Sequence, residues 1–381
     1  MNSITLQYPK KLVFGNHVFD VFVEELLSMG FKSLFVVTIP VIRDVVEEKF
    51  SVLTKRGVRV IIDISIRTEP TFSSFQKVLE TARGQKVDAV VGIGGGSSMD
   101  VAKLVAAQLN NNQSLEEILG IGNLKQRTTY LACLPTTAGT GSEVSPNAIL
   151  LDESDNLKKG VVSPYLIPDA AYVDPQLTMS VPPEVTAATG LDALTHCIEA
   201  YANKFAHPMI DIYALEGIRL ISANLKRTVD DGSDIHAREK LALGSLYGGL
   251  CLGPVNTGAV HALSYPLGGG FHIAHGLSNA VLLPYVMKFN APAALERYAD
   301  IAHALGILYQ APVEEIALAG IEKIKELIVS CNVPLKLSDL NIPRDAIPKM
   351  AESALKVTRL LKNNLRELTL QDAIQIYEEA Y

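Results

Sequence analysis

Asp192 and His196 stand four residues apart in GLDALTHCIEAY. On a helix that spacing puts both side chains on one face. Further along, VHALSYPLGGGFHIAHG supplies His261, His272 and His275, three imidazoles within fifteen residues. One carboxylate with several imidazoles suits a divalent transition metal, and such N and O ligands accept Fe(II) or Zn(II) alike. The chemistry available to that set is Lewis-acid activation of an oxygen. Capping and surface histidines are the competing explanation, and the sequence does not show that the two segments meet.

A second candidate lies upstream in GIGGGSSMD, from Gly92 to Asp100. Gly94, Gly95 and Gly96 follow an apolar run read as a strand (VDAVVGIG, 87–94) and precede VAKLVAAQL (101–109), read as a helix. Glycines there let the backbone approach a ligand closely. The helix that follows offers free N–H groups and the positive end of its dipole, which suits a phosphate, and Ser97 or Ser98 can cap it. The spacing departs from G-x-G-x-x-G, and the turn follows the third predicted strand, whereas the dinucleotide fingerprint opens the first. The local reading is therefore a pyrophosphate site or a plain tight turn. LPTTAGTGSEVS (134–145) places Thr136, Thr137, Thr140 and Ser142 in a loop after another predicted strand. Hydroxyls at a strand C-terminus can hold a ribose or a phosphate, or the stretch is an ordinary polar loop.

The elements that must position these groups are legible in outline. SLFVV (33–37), VRVIID (58–63) and VDAVVGIG read as buried strands, and TYLACLP, NAILLD and AAYVD are further candidates. Helical spacing over 41–56, in FSSFQKVLETAR and in VAKLVAAQL alternates with them. That alternation predicts a doubly wound, mostly parallel α/β sheet. After Pro182-Pro183 long helical periodicities take over, so the expected division is an α/β domain over 1–180 and an all-helical domain over 181–381. Hydrophobic residues make up 48% of the 381 and charged residues 20%, the balance of a globular protein. The net charge of −7 excludes a basic nucleic-acid footprint, and no Lys/Arg cluster is present to dock on an anionic membrane. It also provides no overall field to steer anionic substrates. Cys133, Cys197, Cys251 and Cys331 form no CxxC pair and read as small buried hydrophobes in a reducing compartment. With no apolar leader and no membrane-length apolar run, a cytoplasmic protein is expected.

Taken together, GGGSSMD, PTTAGTGSEVS, LDALTHCIEAY, HALSYPLGGGFHIAHGLSNAVLLP and LRELTLQDAIQIYEEAY resemble the iron-containing (group III) alcohol dehydrogenase family over essentially the whole chain. The order and spacing of these segments carry the resemblance. It implies an N-terminal α/β cofactor domain and a C-terminal helical domain with the active site in the cleft between them, the dehydroquinate synthase-like architecture. It implies metal ligation by Asp192, His196, His261 and His275. Gly94, Gly95, Gly96 and Ser97 would cradle the cofactor pyrophosphate, with Asp100 in the same motif. Thr136, Thr137 and Thr140 would line the nicotinamide end, Lys158 would reach the ribose, and Asn147 would face the substrate. A homodimer or larger homo-oligomer is implied as well.

Two positions depart from well-known members. Many carry a second histidine four residues after the ligand matching His261; here that residue is Tyr265. A tyrosine can relay a proton or simply shape the pocket, and its unperturbed pKa is near 10. NAD-preferring members often have an aspartate where this chain has Ile39, which leaves NADP open beside NAD. The implied activity is reversible hydride transfer between NAD(H) and a small primary alcohol or aldehyde. The alternatives are a metal-free enzyme resembling maleylacetate reductase, a hydroxyacid-oxoacid transhydrogenase, and a non-enzymatic NADH-binding sensor with a vestigial site.

Overall fold

The computed structural model describes residues 3–155 and 157–381, which fall into two compact units. The first comprises Gln7–Thr137 and Ser142–Thr178. Its strands are β1 (Lys11–Phe14), β2 (Ser33–Val37), β3 (Arg59–Asp63), β4 (Ala89–Gly94), β5 (Gly120–Ile121), β6 (Tyr130–Pro135), β7 (Asn147–Asp152), β8 (Leu157–Val162) and β9 (Ala170–Val173). Its helices are α1 (Val18–Met29), α2 (Arg43–Lys55), α3 (Phe72–Gln85), α4 (Gly96–Gln108) and the short α5 (Leu115–Ile118).

Six strands form one parallel sheet in the order β1-β9-β6-β4-β2-β3. Parallel strands covered on both faces read as unbroken apolar runs, and every residue of β2 and β4 is buried. Successive side chains serve opposite faces: Leu34 and Val36 join one apolar cluster, Phe35 and Val37 the other. The chain runs outward from β2 to β3 and then returns to lay β4 on the other side of β2. This reversal makes the C-terminal ends of β2 and β4 a topological switch point, where open α/β sheets bind ligands.

Two corrections to the sequence reading follow. The glycine turn follows the fourth strand of the chain, because KLVF is an edge strand too short and too exposed to stand out. NAILLD lies outside the main sheet. As β7 it pairs antiparallel with β8, and β5 pairs parallel with β8, in a separate three-stranded sheet.

The second unit comprises the segment ending at Leu6, Ala138–Gly141 and Met179–Tyr381. Its helices are α6 (Pro183–Tyr201), α7 (Pro208–Asp230), α8 (Ile235–Leu252), α9 (Ala259–Phe271), α10 (His275–Asn290), α11 (Leu295–Ala304), α12 (Val313–Ser330), α13 (Ile347–Leu355), α14 (Thr358–Leu361) and α15 (Leu370–Glu379). Among its described residues only an isolated bridge, Asn203 with Asn364, is β structure. Helix α6 is central, and every residue from Gly190 to Tyr201 is buried. Glycines permit the close helix contacts: a Cβ on Gly217 of α7 would sit 2.5 Å from Cys197 Sγ of α6. One on Gly244 of α8 would sit 2.6 Å from Ile221 of α7. All four cysteines are buried and free. Burial pushes the Cys133 and Cys197 thiols up to about 12, which leaves them unreactive packing groups.

Candidate metal centre and nucleotide turn

Helix α6 presents Asp192 and His196 one turn apart, α9 presents His261, and α10 begins with His275. Their ligand atoms converge. Asp192 Oδ1 lies 3.8 Å from His196 Nε2, 3.6 Å from His261 Nε2 and 3.7 Å from His275 Nε2. Ligands about 2.1 Å from a tetrahedral metal stand about 3.4 Å from each other. The distances to Asp192 Oδ1 are close to that spacing, although His196 is not among the residues whose ligand atoms are mutually close. Asp192, His261 and His275 form a group whose ligand atoms all lie within 4.8 Å of one another. His272 does not belong with them: it closes the C-terminus of α9 in a left-handed conformation (φ 57°) and is exposed.

Two residues outside the predicted set complete the centre. Glu199, buried on α6, approaches His261 Nδ1 at 2.5 Å through Oε2 and accepts the Val260 N–H at 2.6 Å through Oε1. A neutral His261 then carries its proton on Nδ1 and turns the Nε2 lone pair toward Asp192, the usual support for a metal-binding imidazole. Asn279, one turn after His275 on α10, donates from Nδ2 to Asp192 Oδ1 at 2.7 Å. The same nitrogen lies 3.1 Å from His261 Nε2 and 3.3 Å from His275 Nε2. Helical spacing was the available signal for both: Glu199 lies seven residues past Asp192, and Asn279 four past His275.

The donor set fits a divalent cation. An amide NH2 carries two hydrogens and here faces three acceptors, while Asn279 Oδ1 is buried without a partner. A cation at the point of convergence would engage the Asp192, His261 and His275 lone pairs at once. Burial would raise the Asp192 carboxyl, but the charges of His196, His275 and His261 outweigh it and hold it far below the usual range. Burial pulls His261 down, yet the carboxylates of Glu199 and Asp192 carry it up to about 9. His196 is lowered by burial.

In the α/β unit the glycine turn lies at the end of β4, at the switch point. Gly95 is the N-cap of α4, and no side chain caps that helix; neither Ser97 nor Ser98 does so. A Cβ on Gly94 would meet Ser98 Oγ at 2.8 Å, so glycine is needed there for helix and strand to pack. A Cβ on Gly95 would meet nothing nearer than the Thr137 side chain at 3.7 Å. Gly95, half-buried and in ordinary contact with Thr137, stands at an uncapped helix N-terminus, a place suited to a phosphate. Ser97 is half-buried, and Thr136, itself buried, donates its N–H to Gly94 O at 2.9 Å. Ile39 borders the turn, with Cγ2 3.8 Å from the Cβ position of Gly94.

Other expected site residues are engaged within their own unit. Asp100 accepts Ser142 Oγ at 2.5 Å and the Ile149 N–H at 2.9 Å, tying α4 to the loop and to β7. Lys158 is ion-paired with Glu69 and almost entirely covered. Asn147 Oδ1 accepts no hydrogen bond and is buried, while the backbone carbonyl of Asn147 accepts from Lys103. Thr140 is half-buried in the 138–141 segment of the helical unit.

A parallel sheet with a glycine turn at its switch point, together with a helical unit that brings three histidines to one carboxylate, defines an α/β enzyme architecture with a candidate metal site. The sequence model of the iron-containing alcohol dehydrogenases matches residues 9–175, and that of the C-terminal part of the Fe-containing alcohol dehydrogenase family matches 186–381. The chain belongs to the iron-containing alcohol dehydrogenase family and is an oxidoreductase. Long-chain-alcohol dehydrogenase 1 of Geobacillus thermodenitrificans (strain NG80-2) is 39% identical over 100% of this chain and 98% of its own. The crystal structure of a 1,3-propanediol oxidoreductase superposes with a TM-score of 0.96 at 33% identity, covering 100% of both chains. That of sulfoacetaldehyde reductase from Bifidobacterium kashiwanohense in complex with NAD+ gives 0.88 at 28% identity, covering 100% of this chain and 99% of that one.

Proposed function

We propose that this protein reversibly reduces a small aldehyde with NADH: R–CHO + NADH + H+ gives R–CH2OH + NAD+. Asp192, His196, His261 and His275 hold the divalent metal, Fe(II) foremost and Zn(II) as its chemical alternative. The observation that carries this reading is the convergence of three Nε2 atoms on Asp192 Oδ1, at 3.6 to 3.8 Å, with Glu199 fixing the His261 tautomer from behind. When bound, the metal supplies Lewis acidity that stabilises negative charge developing on the substrate oxygen.

The chain's own groups do the rest. Gly94, Gly95, Gly96 and Ser97 receive the cofactor pyrophosphate at the uncapped start of α4. Thr136, Thr137 and Thr140 take the nicotinamide end, and Lys158 the ribose. Asp100 contributes by fixing the loop through Ser142 rather than by meeting the ligand. Ile39 beside the turn offers no carboxylate to repel a 2′-phosphate. NAD is the proposed cofactor, with NADP use as the measurable alternative. Tyr265 stands beside the centre, its ring 6.2 Å from that of His275, and is assigned either to pass a proton or to shape the pocket. Asn147 is assigned to the substrate side. Four buried free thiols accord with a cytoplasmic enzyme, and a homo-oligomer is expected.

The test is aldehyde-dependent NADH oxidation by chelator-stripped protein, before and after anaerobic Fe(II). Activity should appear only with metal and be abolished in Asp192→Ala. Full turnover by the stripped protein would overturn the metal-dependent mechanism.

A further inference from the structure

The metal centre is closed on three sides. Asp192, His196 and His261 are 2%, 4% and 4% exposed, whereas the His275 side chain is 33% exposed. Of the four, only His275 is partly open to solvent. Tyr265 stands beside His275, with ring centroids 6.2 Å apart. It lies one turn after His261 on α9 and is half-buried in a stretch, 259–269, whose other residues are all buried. Its hydroxyl accepts a hydrogen bond from Arg359 Nη2 at 3.3 Å. Arg359 belongs to α14, which packs on α9.

Arg359 has no carboxylate partner among the described residues, which it shares with the buried Arg238, but the Arg238 donors instead meet Gly232 O, Thr186 Oγ1 and Val181 O. Arg127, Arg297 and Arg344 are each anchored by a carboxylate. Arg359 is half-buried, gives one of its five N–H donors to a tyrosine hydroxyl, and forms no ion pair among the described residues. The carboxylates beside the centre are already committed. Asp192 and Glu199 together balance a divalent metal and leave the guanidinium as uncompensated positive charge. A partly desolvated cation with neither a counter-ion nor a full set of neutral acceptors is costly unless a ligand supplies them.

We propose that Arg359 binds the far end of the substrate, and that this end is anionic: a short aldehyde ending in a carboxylate or a sulfonate. The inference rests on the dehydrogenase reading above and narrows its substrate class. The planar guanidinium fork suits both groups, each of which offers paired oxygens. The overall charge of −7 does not oppose this, because recognition at the centre depends on the local field.

The test compares succinic semialdehyde with butyraldehyde, of equal carbon count but ending in a carboxylate or a methyl group, and adds sulfoacetaldehyde as a sulfonate. The metal-loaded wild type should prefer the anionic aldehydes in kcat/KM. In Arg359→Leu that preference should fall by about 10–100-fold, mainly through KM, the size expected for losing hydrogen bonds to a charged group. Arg359→Lys should recover part of it. A binding readout separates this from turnover: 4-hydroxybutyrate should raise the wild-type melting temperature more than 1-butanol does, and the difference should vanish in Arg359→Leu. Wild-type turnover of butyraldehyde with no anionic preference would overturn the inference while leaving the dehydrogenase reading intact. Selective stabilisation by 4-hydroxybutyrate without turnover of any aldehyde would do the reverse. If Tyr265→Phe removed the preference as completely as Arg359→Leu, the arginine would be acting through the tyrosine, and the direct contact would be overturned.

Discussion

At the scale of single residues, the centre depends on a group that binds no metal. Glu199 bridges the His261 ring and the Val260 N–H, so one carboxylate fixes both the tautomer of a ligand and the backbone that carries it. Glu199→Gln keeps the shape but offers at most one acceptor oxygen for two donors. One of those donors then loses its partner, or His261 takes the wrong tautomer and points an N–H at the metal position. Metal affinity should fall about 10–100-fold, read by competition with a chromophoric chelator, while the far-ultraviolet circular dichroism stays that of the wild type. Equal affinity in the two proteins would make Glu199 a mere packing group. The Asp192 and His196 pair was legible from its spacing, and so was the histidine cluster. His272 could not be separated from its neighbours by pattern alone, because what excludes it is the left-handed turn ending α9. Glu199 and Asn279 sat on the right helical faces, but Glu and Asn on a helix are usually solvated. Only the folded positions of Val260 and of the imidazoles give them partners.

At the scale of elements, α4 and the loop that follows β6 form one assembly. Lys103, fully buried on α4, donates to Ser142 O and Ser145 O at 2.9 Å each and also to Asn147 O. Glu143, in the same loop, is buried as well; desolvation pushes its carboxyl up to about 7 against the attraction of Lys103. The folded value lies above the ordinary 4.5. The native state therefore holds the Glu143 proton more tightly than the unfolded chain does. Its stability contribution is full below about pH 4.5 and is lost as pH rises through about 7, at a total cost of about 3 kcal/mol. Glu143→Gln should therefore unfold at higher urea concentration than the wild type at pH 8, by up to about 3 kcal/mol, with the gain shrinking to about 1 kcal/mol at pH 5. A gain independent of pH would assign it to packing instead of titration. The strands and helices of this unit were legible because β2 and β4 are unbroken apolar runs and α2 and α3 keep helical spacing. The edge strand β1 and helix α1 were missed. The separate hairpin of β7 and β8 was not distinguishable either, since partner choice between strands is a long-range property that no local pattern records.

At the scale of the whole molecule, the four proposed metal ligands come from three helices, α6, α9 and α10, that are far apart in sequence. The unfolded chain cannot present them together, so metal binds the native state almost exclusively and its binding free energy adds to folding. At a free metal concentration about 1,000 times the dissociation constant the gain is about 4 kcal/mol. For a unit of roughly 200 residues that corresponds to about 8–16 °C in melting temperature. Chelation should lower the transition by that amount, Fe(II) or Zn(II) should restore it, and Asp192→Ala should lose the metal response altogether. Reducing agents should leave the melting temperature unchanged, because Cys133, Cys197, Cys251 and Cys331 are all buried free thiols. A chelator shift that persisted in Asp192→Ala would place the stabilising ion elsewhere. A shift absent from the wild type would mean that the spacing around Asp192 Oδ1, 3.6 to 3.8 Å, is the resting state of a centre that takes no ion.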